Sequence, residues 1–475
     1  MKNKLQKTTF IQYFKENLGF EPTQDQWMAM DQLTDFLWNI SAIEAFILTG
    51  YAGTGKTSLI SAFVKTLQQI KVHSVLMAPT GRAAKVLSNY SNKPASTIHR
   101  GIYSHATRAD GSVYIRLERN QNINTLFIID EASMLSTGTA DSYSPRDLLE
   151  DLIEYVYSAN NCKLIFVGDI GQLPPIGMEN SPALSPDFIR TYYGLDIESA
   201  NLSEIVRQDK SSGILDISLQ LRNFSDDIPM LDHNRVDALA INGMELQEEL
   251  ESSISNYGQD EVMVVSRSNK RANLFNQQIR HRILWQEDDL NAGDIIMAVH
   301  NNYYWLDPKS EAGFLANGEM LEIKKIVRRE EIFGFRFADV IARLPDYPSV
   351  GDVELKINLE SIYHEGPSLD RSRLKELFYR IAQEEYPLER NKKKRNKLVM
   401  ENPYFQAVQV KFGYAVTCHK AQGGQWEVVF VDHGYFVHEM WDKEYMRWLY
   451  TAITRAKSKL YLVNFDASFV GEDLD

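Results

Sequence analysis

Short apolar runs separated by helical patterns set the rhythm of the first two hundred residues. Phe46 to Leu48, Val75 to Met77, Leu126 to Ile129 and Leu164 to Val167 read as buried strands. After the first of them Leu59, Ile60, Phe63, Val64 and Leu67 recur at the spacing of a helix face. This alternation predicts a parallel sheet covered by helices on both sides. Val262 to Val265, Val408 to Val416, Val428 to Val431 and Leu460 to Val463 predict a second α/β domain. Between about 291 and 405 the texture changes, and we read an insertion in that second domain. There Asn317-Gly318 predicts a hairpin turn between Phe314-Leu315 and Met320-Leu321. Alternating strands and a polar helical segment with the basic run Arg390 to Lys397 follow. A shorter insertion near 100 to 123 carries Asp110-Gly111 and reads as a small hairpin, and Ser136 to Pro145 reads as a loop.

A chain of 475 residues exceeds one compact core, which agrees with two domains or more. The net charge of −13 argues against coating nucleic acid through bulk positive charge, and leaves room for a local basic groove. Cys162 and Cys418 stand far apart without companion ligands, so free thiols are expected rather than a disulfide or zinc site. No apolar run has the length of a membrane span, and the start Met1-Lys-Asn-Lys-Leu lacks the apolar core of a signal peptide. The expectation is a cytoplasmic protein with no membrane partner.

Gly50-Tyr-Ala-Gly-Thr-Gly-Lys56-Thr57 lies between the run Ala45 to Leu48 and the helical pattern, which is the context of a phosphate-binding loop. Gly50, Gly53 and Gly55 let the backbone N–H groups of the loop, through Thr54 and Ser58, turn toward a polyphosphate. Lys56 would reach the β and γ phosphates, and the Thr57 hydroxyl would hold Mg²⁺. ATP and Mg²⁺ are thus the expected cofactors. Asp130 and Glu131 end a strand where they would face those phosphates, Asp130 holding the metal through water and Glu131 activating the attacking water. Gln172, after Gly168-Asp169, could sense the γ phosphate; the segment Gln172 to Gly177 could equally be a proline-rich turn.

In order the chain presents Thr23 to Gln26, the phosphate loop, Ala78 to Lys85, Ser96 to His99, Asp130 to Met134, Gly168-Asp169 with Gln172, Leu202 to Gln208, Thr417 to Gly423 and Leu449 to Ala456. This series resembles a superfamily 1 helicase, most similar to the RecD and Dda branch, over about residues 20 to 465. The resemblance implies two RecA-like domains, 1–99 with 124–200 and 201–290 with 406–475. It also implies a pin hairpin at 100–123 and a small SH3-like β-barrel with helical extension at 291–405. It makes Gln26 an adenine contact, and Arg207 and Arg455 γ-phosphate contacts that reach across a cleft. Gln422 and Gly423 sit where their motif turns back toward the nucleotide. Thr80, Thr97, His99, Thr417 and His419 become contacts to single-stranded DNA.

The short hairpin and Leu173-Pro174-Pro175 after Gln172 point to the 5′ to 3′ branch of that family. Tyr114 and Val113 are candidates for the pin that meets a single/double-strand junction, or for ordinary cross-strand packing. Single-stranded DNA and junctions, single-strand-binding, replication or repair proteins, and function as a monomer complete what the resemblance implies. A translocase that strips proteins from single strands would use the same motor residues. Pro345-Asp346 and Glu354-Leu355-Lys356 superficially resemble a nuclease metal-binding pattern, but Asp352, Glu354 and Lys356 alternate with Val353, Leu355 and Ile357, as on the solvent face of a half-buried strand.

Overall fold

The computed structural model describes residues 2–38, 44–107, 113–138, 147–205, 212–307 and 310–471. Arg207 and the Asp110-Gly111 turn lie outside them. The chain divides into two compact units, the first made of Met1–Ser104, Arg116–Asp226 and Trp441–Thr454, the second of His105–Ile115, Asp227–Met440 and Arg455–Asp475. Among the described residues no helix is long and apolar enough to cross a membrane. Cys162 and Cys418 are both buried free thiols.

Strands run in chain order β1 (Ala45–Gly50), β2 (His73–Ala78), β3 (Ala95–Thr97), β4 (Tyr103–Thr107), β5 (Val113–Leu117), β6 (Thr125–Ile129), β7 (Lys163–Gly168) and β8 (Ile197–Leu202). Six of them form the sheet of the first unit in the order β3-β2-β6-β7-β1-β8, every neighbouring pair parallel. β1 and β7 are apolar because helices cover both faces. The helix Lys56–Gln69 buries Leu59, Ile60, Phe63, Val64 and Leu67, the face read from the sequence. Against it packs the N-terminal helix Lys2–Leu18 through Phe10 and Phe14, whose rings lie 5.9 and 5.4 Å from that of Phe63. β4 and β5 pair as a two-stranded sheet, the expected short hairpin.

The second unit continues with β9 (Ala238–Ile241), β10 (Val262–Ser266), β11 (Ile295–Ala298), β12 (Met320–Ile332), β13 (Phe335–Arg343), β14 (Asp352–Asn358), β15 (Val408–Phe412), β16 (Ala415–Thr417), β17 (Trp426–Asp432) and β18 (Ala456–Val463). A second parallel sheet has the order β16-β10-β17-β18-β9, and β11 to β15 close into a barrel. The fold is therefore α/β with two RecA-like parallel sheets, a short hairpin and a small barrel.

Three local expectations change. The run Val408 to Val416 is two strands, one in the barrel and one in the sheet, broken at Gly413, where a Cβ would lie 3.0 Å from both Ile295 Cγ2 and Met320 Sδ. Asn317-Gly318 does turn, with Gly318 at φ 90°, but Leu315 pairs with Asn302 while Met320 pairs with Met297 of β11. The tight hairpin is instead β12 to β13 through Phe333 and Gly334, both with positive φ of 56° and 69°. On β14 Glu354 is exposed as expected, but Lys356 is buried, ion-paired to Glu330 at 2.8 Å and Asp339 at 2.6 Å. The basic run becomes the exposed start of the helix Lys392–Met400, capped by the Asn391 side chain.

Where the barrel meets the sheet, a fully buried ion pair joins Arg280 to Asp294 at 2.9 Å. Tyr414 Oη donates to Asp294 Oδ1 at 3.0 Å, Asn291 N–H donates to Oδ2 at 2.7 Å, and the guanidinium lies 4.1 Å from the Phe412 ring centre. Removing one partner strands the other charge in a low-dielectric interior. Arg280→Ala is expected to cost about 3–5 kcal/mol, read from urea denaturation, and a loss below about 1 kcal/mol would mean that the pair behaves as a surface one.

Candidate nucleotide site and nucleic-acid face

Parallel strands deliver their C-terminal ends to one edge of a sheet, and β1, β7 and β6 are consecutive neighbours there. β1 runs into the phosphate loop, β6 into Asp130 and Glu131, and β7 into Asp169. Gly53 and Gly55 adopt φ of 81° and 84°, a backbone that L side chains rarely take. Gly50 is fixed by contact instead, since a Cβ there would meet Thr54 Oγ1 at 2.7 Å and Leu202 O at 2.8 Å. Thr54 is buried and its hydroxyl donates to Tyr51 O at 2.8 Å. Thr57 is half-buried and Ser58 exposed at the start of the helix. Lys56 donates to Gly50 O at 2.6 Å and Tyr51 O at 2.9 Å, and lies 3.8 Å from Asp169. Its ammonium is thus parked on its own loop.

Asp130 carries a carboxyl pushed up to about 7, first by burial and then by the neighbouring Glu131 carboxylate. Glu131 N–H donates to Asp130 Oδ1 at 2.9 Å, which works in the other direction. Glu131 itself is left-handed, φ 51° and ψ 38°, ahead of the short turn Ala132–Met134. A non-glycine residue in that region stores strain and aims its side chain differently from a strand residue. Gln172 is buried and its Oε1 has no hydrogen-bond partner; together with the equally unpartnered Ser133 Oγ it lines a cavity of about 720 Å³ that also reaches Tyr51 and Asp169. An acceptor left without a donor costs free energy unless something arrives to use it.

Gln26 is fully buried with its amide engaged at both ends: Oε1 accepts from Thr23 N–H at 3.1 Å and Nε2 donates to Thr54 O at 3.2 Å. It thereby braces the phosphate loop through Thr54. In the second unit Arg455 is buried and donates to Gly424 O at 3.2 Å, near buried Gln422 and Gly423 with φ 73°.

The nucleic-acid candidates form a repeated device. Ala95-Ser-Thr97-Ile-His99 runs off edge strand β3 into the helix Ile98–Ile102, and Ala415-Val-Thr417-Cys-His419 runs off edge strand β16 into the helix Cys418–Ala421. Thr97 is in register with Ala78 and Thr417 with Ser266 on the adjacent strands. Two residues past each of those partners stands a helix cap, Thr80 accepting from Ala83 N–H and Ser268 accepting from Arg271 N–H, both at 3.2 Å. A hydroxyl committed as an acceptor keeps its proton to donate. Thr97 is likewise engaged, by Arg100 N–H at 3.3 Å, and His99 lies half-buried 5.7 Å from the Tyr103 ring. The sequence reading missed Ser268; its signal is the Thr80-like position in the second copy. Tyr114 lies on β5.

Fold and site together define a P-loop protein with two RecA-like sheets. Residues 23–240 match the family model described as an AAA domain, and residues 412–463 the one described as a UvrD-like helicase C-terminal domain. The chain is similar to the ATP-dependent DNA helicase dda of Enterobacteria phage T4, 27% identical over 292 residues, 58% of this chain and 62% of that protein. It is also similar to the ATP-dependent RecD2 DNA helicase of Deinococcus radiodurans, 29% identical over 154 residues, 32% of this chain and 18% of that protein. With the uncharacterized protein MJ1519 of Methanocaldococcus jannaschii it shares 34% identity over 163 residues, 31% of this chain and 13% of that protein. The chain thus spans less than two thirds of the length of each of these three curated relatives. In both matched regions it is thus similar to superfamily 1 helicases of the RecD and Dda type.

The raised carboxyl of Asp130 gives a pH signature. Its folded value of about 7 lies above the unfolded 3.8, so the folded protein holds the proton longer and loses stability as pH rises between the two values. Asp130→Asn should therefore stabilise the nucleotide-free protein at pH 8, by on the order of 2 kcal/mol, and give no gain near pH 4. Thermal melts across that range check it, and a gain independent of pH would remove the carboxyl from the cause.

Proposed function

We propose that the chain hydrolyses ATP to travel 5′ to 3′ along single-stranded DNA and to part the duplex at a junction. The observation that carries this reading is the Thr-x-His device in both units, Thr97 with His99 and Thr417 with His419, the first in the unit that also holds the phosphate loop. A nucleotide switch needs no such pair. A motor needs one grip on its track for each of two halves, and hydroxyl and imidazole contacts to phosphate are indifferent to base sequence.

In this reading the loop amides between Gly50 and Ser58 bind the ATP phosphates and Lys56 leaves its parked position to join them. Thr57 and Asp130 would hold Mg²⁺, an ion that takes few protein ligands and shares its shell with phosphate oxygens and water. Its charge would stabilise the ionised form of Asp130 and neutralise the phosphates. Glu131, turned by its left-handed backbone, takes the proton of the attacking water. Gln172 offers its unpartnered oxygen as an acceptor, and Arg207 and Arg455 neutralise the γ phosphate. Gln26 reads adenine. Thr80 and Ser268 add hydroxyl donors for the DNA backbone. The short β4–β5 hairpin, with Tyr114 on it, and Leu173-Pro174-Pro175 support the 5′ to 3′ sense.

Two duplexes that differ only in carrying a 5′ or a 3′ single-stranded tail test this directly. We expect ATP-driven opening of the 5′-tailed substrate alone, abolished by Lys56→Ala. Opening of the 3′-tailed substrate would reverse the polarity, and DNA-stimulated hydrolysis with neither duplex opened would leave a translocase. Glu131→Gln is expected to lower kcat for ATP by about 10²–10⁴-fold in a steady-state assay; unchanged turnover would remove Glu131 as the base.

A further inference from the structure

One residue of the phosphate loop, Ala52, is gripped at both of its backbone polar groups. Ala52 N–H donates to Tyr450 Oη at 2.7 Å, and Ala52 O accepts from Arg222 Nη2 at 3.3 Å. Neither residue is near in sequence, 398 positions away for Tyr450 and 170 for Arg222, and both belong to the first unit. Each is itself held. Tyr450 Oη donates to Asp169 Oδ2 at 2.8 Å, and Asp169 Oδ1 accepts from Gly171 N–H at 2.8 Å. Arg222 lies 4.7 Å from the Tyr51 ring centre, its Nη1 donates to Ser203 O at 3.3 Å, and Tyr51 Oη donates to Arg222 O at 3.4 Å. Gly171 permits the approach, since a Cβ there would lie 2.9 Å from Tyr51 Cε1 and 3.0 Å from Tyr450 Cε1.

The geometry points to Arg222 and Tyr450 as positioning residues for nucleotide binding: together they clamp Ala52 and fix where the following Gly53 to Thr57 amides point. This rests on the reading that the loop binds a nucleotide. The clamp touches Ala52, not a reacting atom, so its effect is on how well the loop is preorganised. A loop that must find its shape when ligand arrives gives up affinity in doing so. Tyr450 also links the clamp to Lys56, because Asp169 receives its hydroxyl and lies 3.8 Å from the Lys56 ammonium. Loop position and the parking of the lysine are thereby one adjustment.

The discriminating variants are Tyr450→Phe, which deletes only the hydroxyl, Arg222→Ala, which removes the guanidinium, and Arg222→Lys, which keeps the charge but not the fork. The readout is the equilibrium dissociation constant of N-methylanthraniloyl-ADP with the full chain and no DNA, alongside melting of the nucleotide-free protein. Losing one hydrogen bond to a preorganised loop should weaken binding about tenfold in Tyr450→Phe and Arg222→Ala, and less in Arg222→Lys. In steady state KM for ATP should rise by a larger factor than kcat falls. Dissociation constants within twofold of wild type, with only the melting temperature lowered, would overturn the clamp and leave a structural tie; so would a fall in kcat at unchanged KM. Because this binding needs neither DNA nor unwinding, normal binding in the variants with 5′-tailed duplex opened by the wild type sinks the clamp alone. Weakened binding with no duplex opened by the wild type sinks the helicase reading alone.

Discussion

The first unit depends on a carboxylate that hardly touches water. Asp169 ends β7 and is 1% exposed, yet an isolated charge at such depth is prohibitive. It is tolerated because Gly171 N–H and the Tyr450 hydroxyl donate to it and Lys56 stands nearby. Each of those neighbours constrains something else: Tyr450 the phosphate loop, Gly171 the packing of two tyrosine rings, Lys56 the loop carbonyls. Burial in turn pushes the Tyr450 hydroxyl far above its ordinary range, so it stays a neutral donor at any working pH. Asp130 is the contrasting case, a buried acid beside a second acid, whose burial and neighbour favour the protonated form.

The second unit solves a different problem with similar means. Its parallel sheet and its barrel share one apolar core, in which Val264, Val428 and Phe430 of the sheet and Leu321, Val340 and Leu355 of the barrel are all buried. The Arg280 and Asp294 pair lies within that shared region, saturated by Asn291, Tyr414 and the Asp288 carbonyl. Such a pair gives little net stability over a hydrophobic replacement, but it tolerates few alternative registers.

What could be read from the chain were features whose residues sit close in sequence. The phosphate loop, the carboxylate pair and the helix face of Leu59 to Leu67 each need only a local window. The break at Gly413 and the turn at Phe333-Gly334 were not legible, because an apolar run gives no sign of which sheet each half joins and phenylalanine is no turn residue. Tyr450 stood inside a motif already recognised, but its partners Ala52 and Asp169 lie hundreds of positions away, and nothing short-range announces such a contact. Gln26 carries the same lesson: the family resemblance marked it and its bond from Thr23 N–H is local, while its bond to Thr54 O depends on where the phosphate loop ends up.

Gly413 also bears on how this architecture could be rebuilt. Residues 291–405 look in sequence like a cassette, but the barrel closes only with β15, which runs after two residues into β16 at the edge of the sheet. Asn276, on the helix that follows β10, accepts from both Tyr414 N–H and Ala415 N–H across that junction. Cutting at the apparent borders would therefore open the barrel and leave its last staff attached to the sheet. Any transplant of the barrel into another protein must carry Val408 to Phe412 with it and supply a new lead-in to the strand that bears Thr417.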